Sequence, residues 1–121
     1  MIQTNCLIVD DSRLARMMLK KIFNEIFPDW HIVDVADGHQ AIEAAQRENF
    51  QIIFLDFNMP NMDGGKVAKV LRPMLPNTRI ALLTANIQES VKNLAAELKI
   101  DFIPKPITED KISKYVRYPH S

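Results

Sequence analysis

The run Ile52-Ile53-Phe54-Leu55 ends in a single carboxylate, Asp56, and a stretch punctuated by Pro60 and Gly64 follows at once. An apolar run bounded by turn signals reads as a strand buried on both faces, the kind a parallel sheet contains. Asp56 then stands at the strand's carboxyl end, where open α/β sheets bind their ligands. A carboxylate there needs a partner, because an unpaired buried charge is costly. Asp56 is therefore the first candidate for chemistry.

The rest of the chain alternates between the two periods that such a sheet requires. Cys6-Leu7-Ile8-Val9 is a second apolar run, ending in Asp10-Asp11. Ser12 is placed to cap a helix whose apolar face is Leu14, Ala15, Met18, Leu19, Ile22, Phe23 and Ile26, and Pro28 stops it. Ile32 to Ala36 reads as a strand, Asp37-Gly38 as a turn, and Ala41, Ile42 and Ala45 as a short helix. Gly64-Gly65 opens a third helix with Val67, Val70 and Leu71 inward, ending near Pro73. A fourth strand is expected over Ile80 to Leu83, then a helix through Ile87, Val91, Leu94, Ala95 and Leu98. Phe102-Ile103 is a short fifth strand, leading to Pro104-Lys105-Pro106. Thr108 caps a last helix with Ile112, Tyr115 and Val116 as its buried stripe, and Glu109 and Asp110 suit its N-terminal end. Alternating strands and helices of this kind predict an α/β fold, a parallel sheet with helices on both faces.

With 121 residues, 47% hydrophobic and 25% charged, the chain can build one core without disulfides or structural metals. Its 15 basic residues balance 15 acidic ones, so bulk charge provides no footprint for nucleic acid. Cys6 is the single cysteine and reads as a small core residue. No apolar run reaches the length of a membrane span and no signal peptide is evident, so a cytoplasmic domain is expected. His31, His39 and His120 lack metal-ligand spacing, and Trp30 reads as local packing.

If all the strands end on one edge, that edge receives Asp10 and Asp11 from the first strand, Asp56 from the third, Thr84-Ala85 from the fourth and Lys105 from the fifth. Clustered carboxylates raise one another's pKa unless a cation sits among them. Oxygen ligands of this kind suit Mg²⁺, which commonly shares its shell with a phosphoryl group. Thr84 can donate a hydrogen bond to a phosphoryl oxygen, Lys105 can neutralise another, and Ala85 leaves room for a backbone N–H to approach. An aspartate that attacks a phosphoryl donor forms an acyl phosphate.

In these residues, and in the segment from Asp56 to Gly64 and the Lys105-Pro106 pair, the chain resembles a receiver domain of a two-component response regulator, of the single-domain chemotaxis type. The resemblance covers essentially all of residues 1–121 as one receiver domain. It implies a flavodoxin-like five-stranded parallel sheet of order 2-1-3-4-5. It further implies that Asp56 is the phosphoacceptor and that Mg²⁺ is bound by Asp11 and Asp56, with Asp10 holding the metal's water shell and Asn58 giving its backbone carbonyl. Thr84 falls at the switch hydroxyl, Lys105 at the phosphate-binding lysine and Phe102 at the switch aromatic position. The Lys105–Pro106 bond is expected to be cis.

Function follows from the same resemblance. A sensor histidine kinase would supply the phosphoryl group, and the readout face would be the fourth helix, fifth strand and fifth helix, with Lys92, Asn93, Glu97, Lys111 and Lys114 exposed on it. Asn58 and Asn86 flank the path of a hydrolytic water. The expected role is a signalling switch and not a turnover enzyme, with no nucleic-acid or membrane contact by this domain. Its target would be a protein such as the flagellar motor switch. Alternatives are a phosphorelay intermediate, a phosphate sink, or a receiver cut from a longer transcriptional regulator. A haloacid-dehalogenase-type phosphatase would need a second acid where Asn58 stands. A flavodoxin would need a phosphate loop where Asp10-Asp11 repels phosphate, and a phosphorylation-independent module would have lost its acid site.

Overall fold

In the computed structural model, which describes residues 3–59 and 62–118, strands and helices alternate along the chain. They are β1 (Asn5–Val9), α1 (Arg13–Ile26), β2 (His31–Val35), α2 (Gly38–Arg47) and β3 (Ile52–Asp56). A two-residue pair follows, β4 (Asn58–Met59) and β5 (Met62–Asp63), then α3 (Gly64–Met74), β6 (Arg79–Thr84), α4 (Glu89–Leu98), β7 (Asp101–Pro104) and α5 (Glu109–Arg117). The main sheet has five parallel strands in the order β2-β1-β3-β6-β7, which is the expected 2-1-3-4-5 once the small antiparallel β4-β5 pair is set apart. Pro60, Asn61 and His120, which figure in the sequence reading, lie outside the described residues.

Two apolar layers form because successive strand residues point to opposite faces. Leu7, Val9, Ile53, Leu55, Ile80 and Leu82 pack with Ala41, Ala45, Val67, Ala68, Leu71, Val91 and Ala95, which joins one face to α2, α3 and α4. Cys6, Ile8, Ile52, Phe54, Ala81 and Leu83 pack with Leu19, Phe23, Ile112 and Tyr115, which joins the other to α1 and α5. Every residue of β3 is buried, as the unbroken apolar run requires. Trp30 stacks on Phe27 with ring centroids 4.1 Å apart. Among the described residues no helix is long and apolar enough to cross a membrane.

Side chains cap the starts of α1, α2, α3 and α5, while Gln88 before α4 makes no such bond. The Ser12 and Thr108 hydroxyls accept from the amides of Ala15 and Lys111, as expected. Asp37, read as a turn residue, instead caps α2 by accepting from the Gln40 amide. Four expected inward positions are corrected: Leu14, Met18, Val70 and Ile87 are 67%, 59%, 46% and 44% exposed. Leu14 and Met18 lie in the first two turns of α1 and face solvent. Ile87 precedes α4 and is not in it.

Gly64 sets how closely α3 approaches the end of β3. A Cβ there would fall 2.7 Å from the Phe57 Cα and nearer still to the Asp56 carbonyl oxygen, and both are backbone atoms that cannot move aside. Gly64→Ala gains about 1 kcal/mol of helix propensity but meets an overpacking cost of about 1–3 kcal/mol or more. We expect a lower urea midpoint at unchanged slope, with Gly65→Ala, which meets the flexible Leu94 side chain at 3.0 Å, less affected. Equal midpoints for wild type and Gly64→Ala would contradict this packing.

Candidate functional site

Parallel pairing opens the carboxyl ends of the strands on one edge of the sheet. β1 runs into Asp10, β3 ends in Asp56, β6 ends in Thr84, and β7 ends one residue before Lys105. The groups picked from the sequence therefore reach one place. Carboxylate oxygens of Asp10, Asp11 and Asp56 lie within 4.8 Å of one another. Asp10 and Asp56 are buried and Asp11 is exposed, so the cluster opens to solvent on one side. Hard oxygen donors at this spacing fit a divalent cation such as Mg²⁺.

Lys105 Nζ donates to Asp56 Oδ1 at 2.8 Å, and the Asn58 amide donates to the same oxygen at 3.1 Å. The Lys105–Pro106 bond is cis. Thr84 is fully buried; its hydroxyl donates to the Asn86 carbonyl at 2.9 Å and accepts from the Asn86 amide at 3.3 Å. The Ala85 amide donates to Asn58 Oδ1 at 3.0 Å. Lys105, the Thr84 hydroxyl and the Ala85 amide thus each have a protein partner to exchange.

Phe102 is half-buried, packs against the α2–α3–α4 side of the core, and lines a groove of about 800 Å³ with Lys92, Lys114 and Tyr118. Lys92, Asn93, Glu97 and Lys114 are exposed as expected. Lys111 is a correction. Its ammonium donates to the carbonyls of Pro104 and Pro106, both at 2.9 Å, so it ties α5 to the loop after β7 and is only half-exposed.

Sequence reasoning missed two features. Arg16 Nη1 donates to the Asp10 carbonyl at 2.7 Å while Nε bonds Asp34 Oδ2 at 2.9 Å. The available signal was a cation on α1 one helical turn after the cap, opposite an acid in an apolar strand. Burial works to raise the Asp34 carboxyl, but hydrogen bonds and charge from Lys20 and Arg16 outweigh it and hold the group below its ordinary value. The second feature is Leu14, Met17 and Met18, exposed together on α1, with Met18 lining a pocket that Asp10 and Lys105 also line.

Burial pushes the Asp10 carboxyl above its ordinary value; the Ser12 amide pulls it back, the charges of Asp56 and Asp11 push it further, and Lys105 opposes them. The folded state thus binds this proton more tightly than the unfolded chain does. The ionised form costs stability at neutral pH, and that cost is relieved as pH falls through the raised value. Asp10→Asn should melt a few degrees higher than wild type in chelator at pH 7, the gap closing on acidification. A lower midpoint at pH 7 would contradict this electrostatic picture.

The comparisons agree with this geometry. The sequence model of the family described as response regulator receiver domain matches residues 6–117. The chain is 31% identical over 122 residues to sporulation initiation phosphotransferase F of Bacillus subtilis, covering 97% of this chain and 94% of that protein. It is 36% identical over 107 residues to the cyclic di-GMP phosphodiesterase response regulator RpfG of Xanthomonas campestris, covering 85% of this chain but only 28% of that protein. The solved structure of chemotaxis protein CheY4 of Vibrio cholerae superposes with a TM-score of 0.87 at 26% identity, covering 96% of this chain and 98% of that one. The chain belongs to the response regulator receiver domain family of two-component systems.

Proposed function

We propose that residues 1–121 act as one receiver domain, in which Asp56 accepts a phosphoryl group from a phosphohistidine on a sensor histidine kinase or a phosphotransfer protein. The carrying observation is the convergence of a buried aspartate, a lysine bonded to it and three clustered carboxylates on one sheet edge. A nucleophilic oxygen of Asp56 attacks phosphorus in line, the P–N bond breaks as the P–O bond forms, and the imidazole leaves. Asp10, Asp11, Asp56 and the Asn58 backbone carbonyl are the groups to hold Mg²⁺, which when bound neutralises phosphoryl charge. Lys105, Thr84 and the Ala85 amide take the phosphoryl oxygens once they release Asp56, Asn86 and Asn58.

Displacement of Thr84 toward the phosphoryl group frees space for Phe102, which biases the α4–β7–α5 face between two arrangements. Asn58 and Asn86 flank the route of the water that ends the signal. The donor docks on the exposed Leu14, Met17 and Met18 of α1, the helix that follows the Asp10-Asp11 connection and whose Met18 lines one pocket with Asp10 and Lys105. Output is a protein contact in the cytoplasm, without nucleic acid or membrane. Likeness to a chemotaxis protein supports a target such as the flagellar motor switch. The near full-length likeness to a sporulation phosphotransferase supports the alternative of a phosphorelay intermediate.

Incubation with Mg²⁺ and acetyl phosphate should add one phosphoryl group by intact mass, lost in Asp56→Asn and blocked by chelator. Leu14→Asp/Met18→Asp should keep this reaction and lose at least tenfold in transfer rate from a phosphohistidine protein. No mass gain in folded, Mg²⁺-binding protein would contradict self-catalysed transfer. Equal loss with both donors would contradict docking on α1.

A further inference from the structure

We propose that Arg16, oriented by Asp34, is a positioning residue that fixes the Asp10-Asp11 pair and thereby sets the affinity of the acid cluster for a divalent cation. The inference rests on the reading of that cluster given above.

Carboxylates within 4.8 Å repel one another, so the segment carrying two of them must be tied down from outside. Asp56 is fixed by its place in β3 and by Lys105. Asp10 and Asp11 sit instead in the connection between β1 and α1. The Asp10 amide donates to the Val35 carbonyl at 3.2 Å, and the Ser12 amide donates to Asp10 Oδ1 at 2.8 Å. Neither bond holds the Asp10 carbonyl. That carbonyl shares a rigid peptide plane with the Asp11 nitrogen, so its direction sets where Asp11 leaves the backbone. Arg16 Nη1 donates to it at 2.7 Å.

The guanidinium is itself held. Its Nε bonds Asp34 Oδ2 at 2.9 Å, and the other Asp34 oxygen accepts from Lys20 at 3.1 Å. Asp34 pairs in register with Ile8, two residues before Asp10, so β2 presents its carboxylate beside the end of β1. Arg16 and Lys20 share one face of α1 by their four-residue spacing. A planar fork can bond a carboxylate and a carbonyl at once from different nitrogens, which a lysine ammonium cannot do with the same directional control. Arg16 also touches no carboxylate of the cluster, so its effect passes through the Asp10 peptide.

Calorimetric Mg²⁺ titration of the full chain tests this. Removing a partner that orients metal ligands typically weakens metal binding by about tenfold or more. Arg16→Met should therefore lose about tenfold in Mg²⁺ affinity, with Arg16→Lys recovering only part. Asp34→Asn should lose a few-fold, and the Arg16→Met/Asp34→Asn double variant should bind no more weakly than Arg16→Met. In metal-free protein the Ser12 amide should exchange with deuterium faster in Arg16→Met. Wild-type protein that takes up no Mg²⁺, or Asp11→Asn that binds it as well as wild type, defeats the reading of the cluster itself. A folded Arg16→Met with wild-type Mg²⁺ affinity overturns this inference alone, whatever its melting temperature. If Arg16→Met does not fold, Asp34→Asn decides: unchanged Mg²⁺ affinity there overturns the inference equally.

Discussion

The ion pair between Lys105 and Asp56 is what holds the site together. A carboxylate only 3% exposed at the end of a central strand is tolerable because an ammonium from beyond β7 bonds it at 2.8 Å. Removing one partner of a buried pair costs about 3–5 kcal/mol, less here because solvent reaches the lysine side chain. Delivering Lys105 to that point demands correct register across three strands: Asp56 opposite Leu83, and Thr84 opposite Pro104. A slip of one residue would reverse every inward side chain of a strand and scatter the site. Apolar packing of β3, β6 and β7 and the placement of the chemical groups are therefore one constraint.

The same edge is under opposing demands. Asp10, Asp11 and Asp56 repel, and burial adds to the cost of ionising Asp10. The cost is met locally by Lys105 and by the backbone amides of Ser12 and Asn58. Meanwhile the Thr84 hydroxyl and the Ala85 amide are satisfied by Asn86 and Asn58. On the proposed function, phosphorylation of Asp56 replaces existing bonds instead of filling empty ones. Exchanges of this kind are close to balanced, because each hydrogen bond gained is set against one lost. Such balance suits a switch, since a small differential preference moves its population.

Much of this was legible in the sequence because the chemistry sits where the hydrophobic pattern stops. Apolar runs ending in Asp10, Asp56, Thr84 and Lys105 announce both the strands and their carboxyl ends, and parallel pairing does the rest. Helical periodicity failed at Leu14, Met18, Val70 and Ile87, which the structure leaves exposed. Ile87 fails because it lies before the start of α4, outside the helix whose spacing it obeys. The Lys111 bonds and the Arg16 bond to Asp10 were illegible for another reason. Their partners are main-chain carbonyls of Pro104, Pro106 and Asp10, and a sequence carries no mark of which carbonyls remain unpaired.

The most direct single measurement is the NMR response of the backbone amides and the Lys105 ammonium to Mg²⁺ followed by beryllofluoride, a phosphoryl mimic. Mg²⁺ alone should move resonances of Asp10 to Ser12 and Asp56 to Asn58. Beryllofluoride should then move Ala85, Asn86 and Lys105 together, saturating at one equivalent. Ala85 and Lys105 resonances that stay fixed while Asp56 and its neighbours saturate would contradict the convergence of these groups on one phosphoryl site.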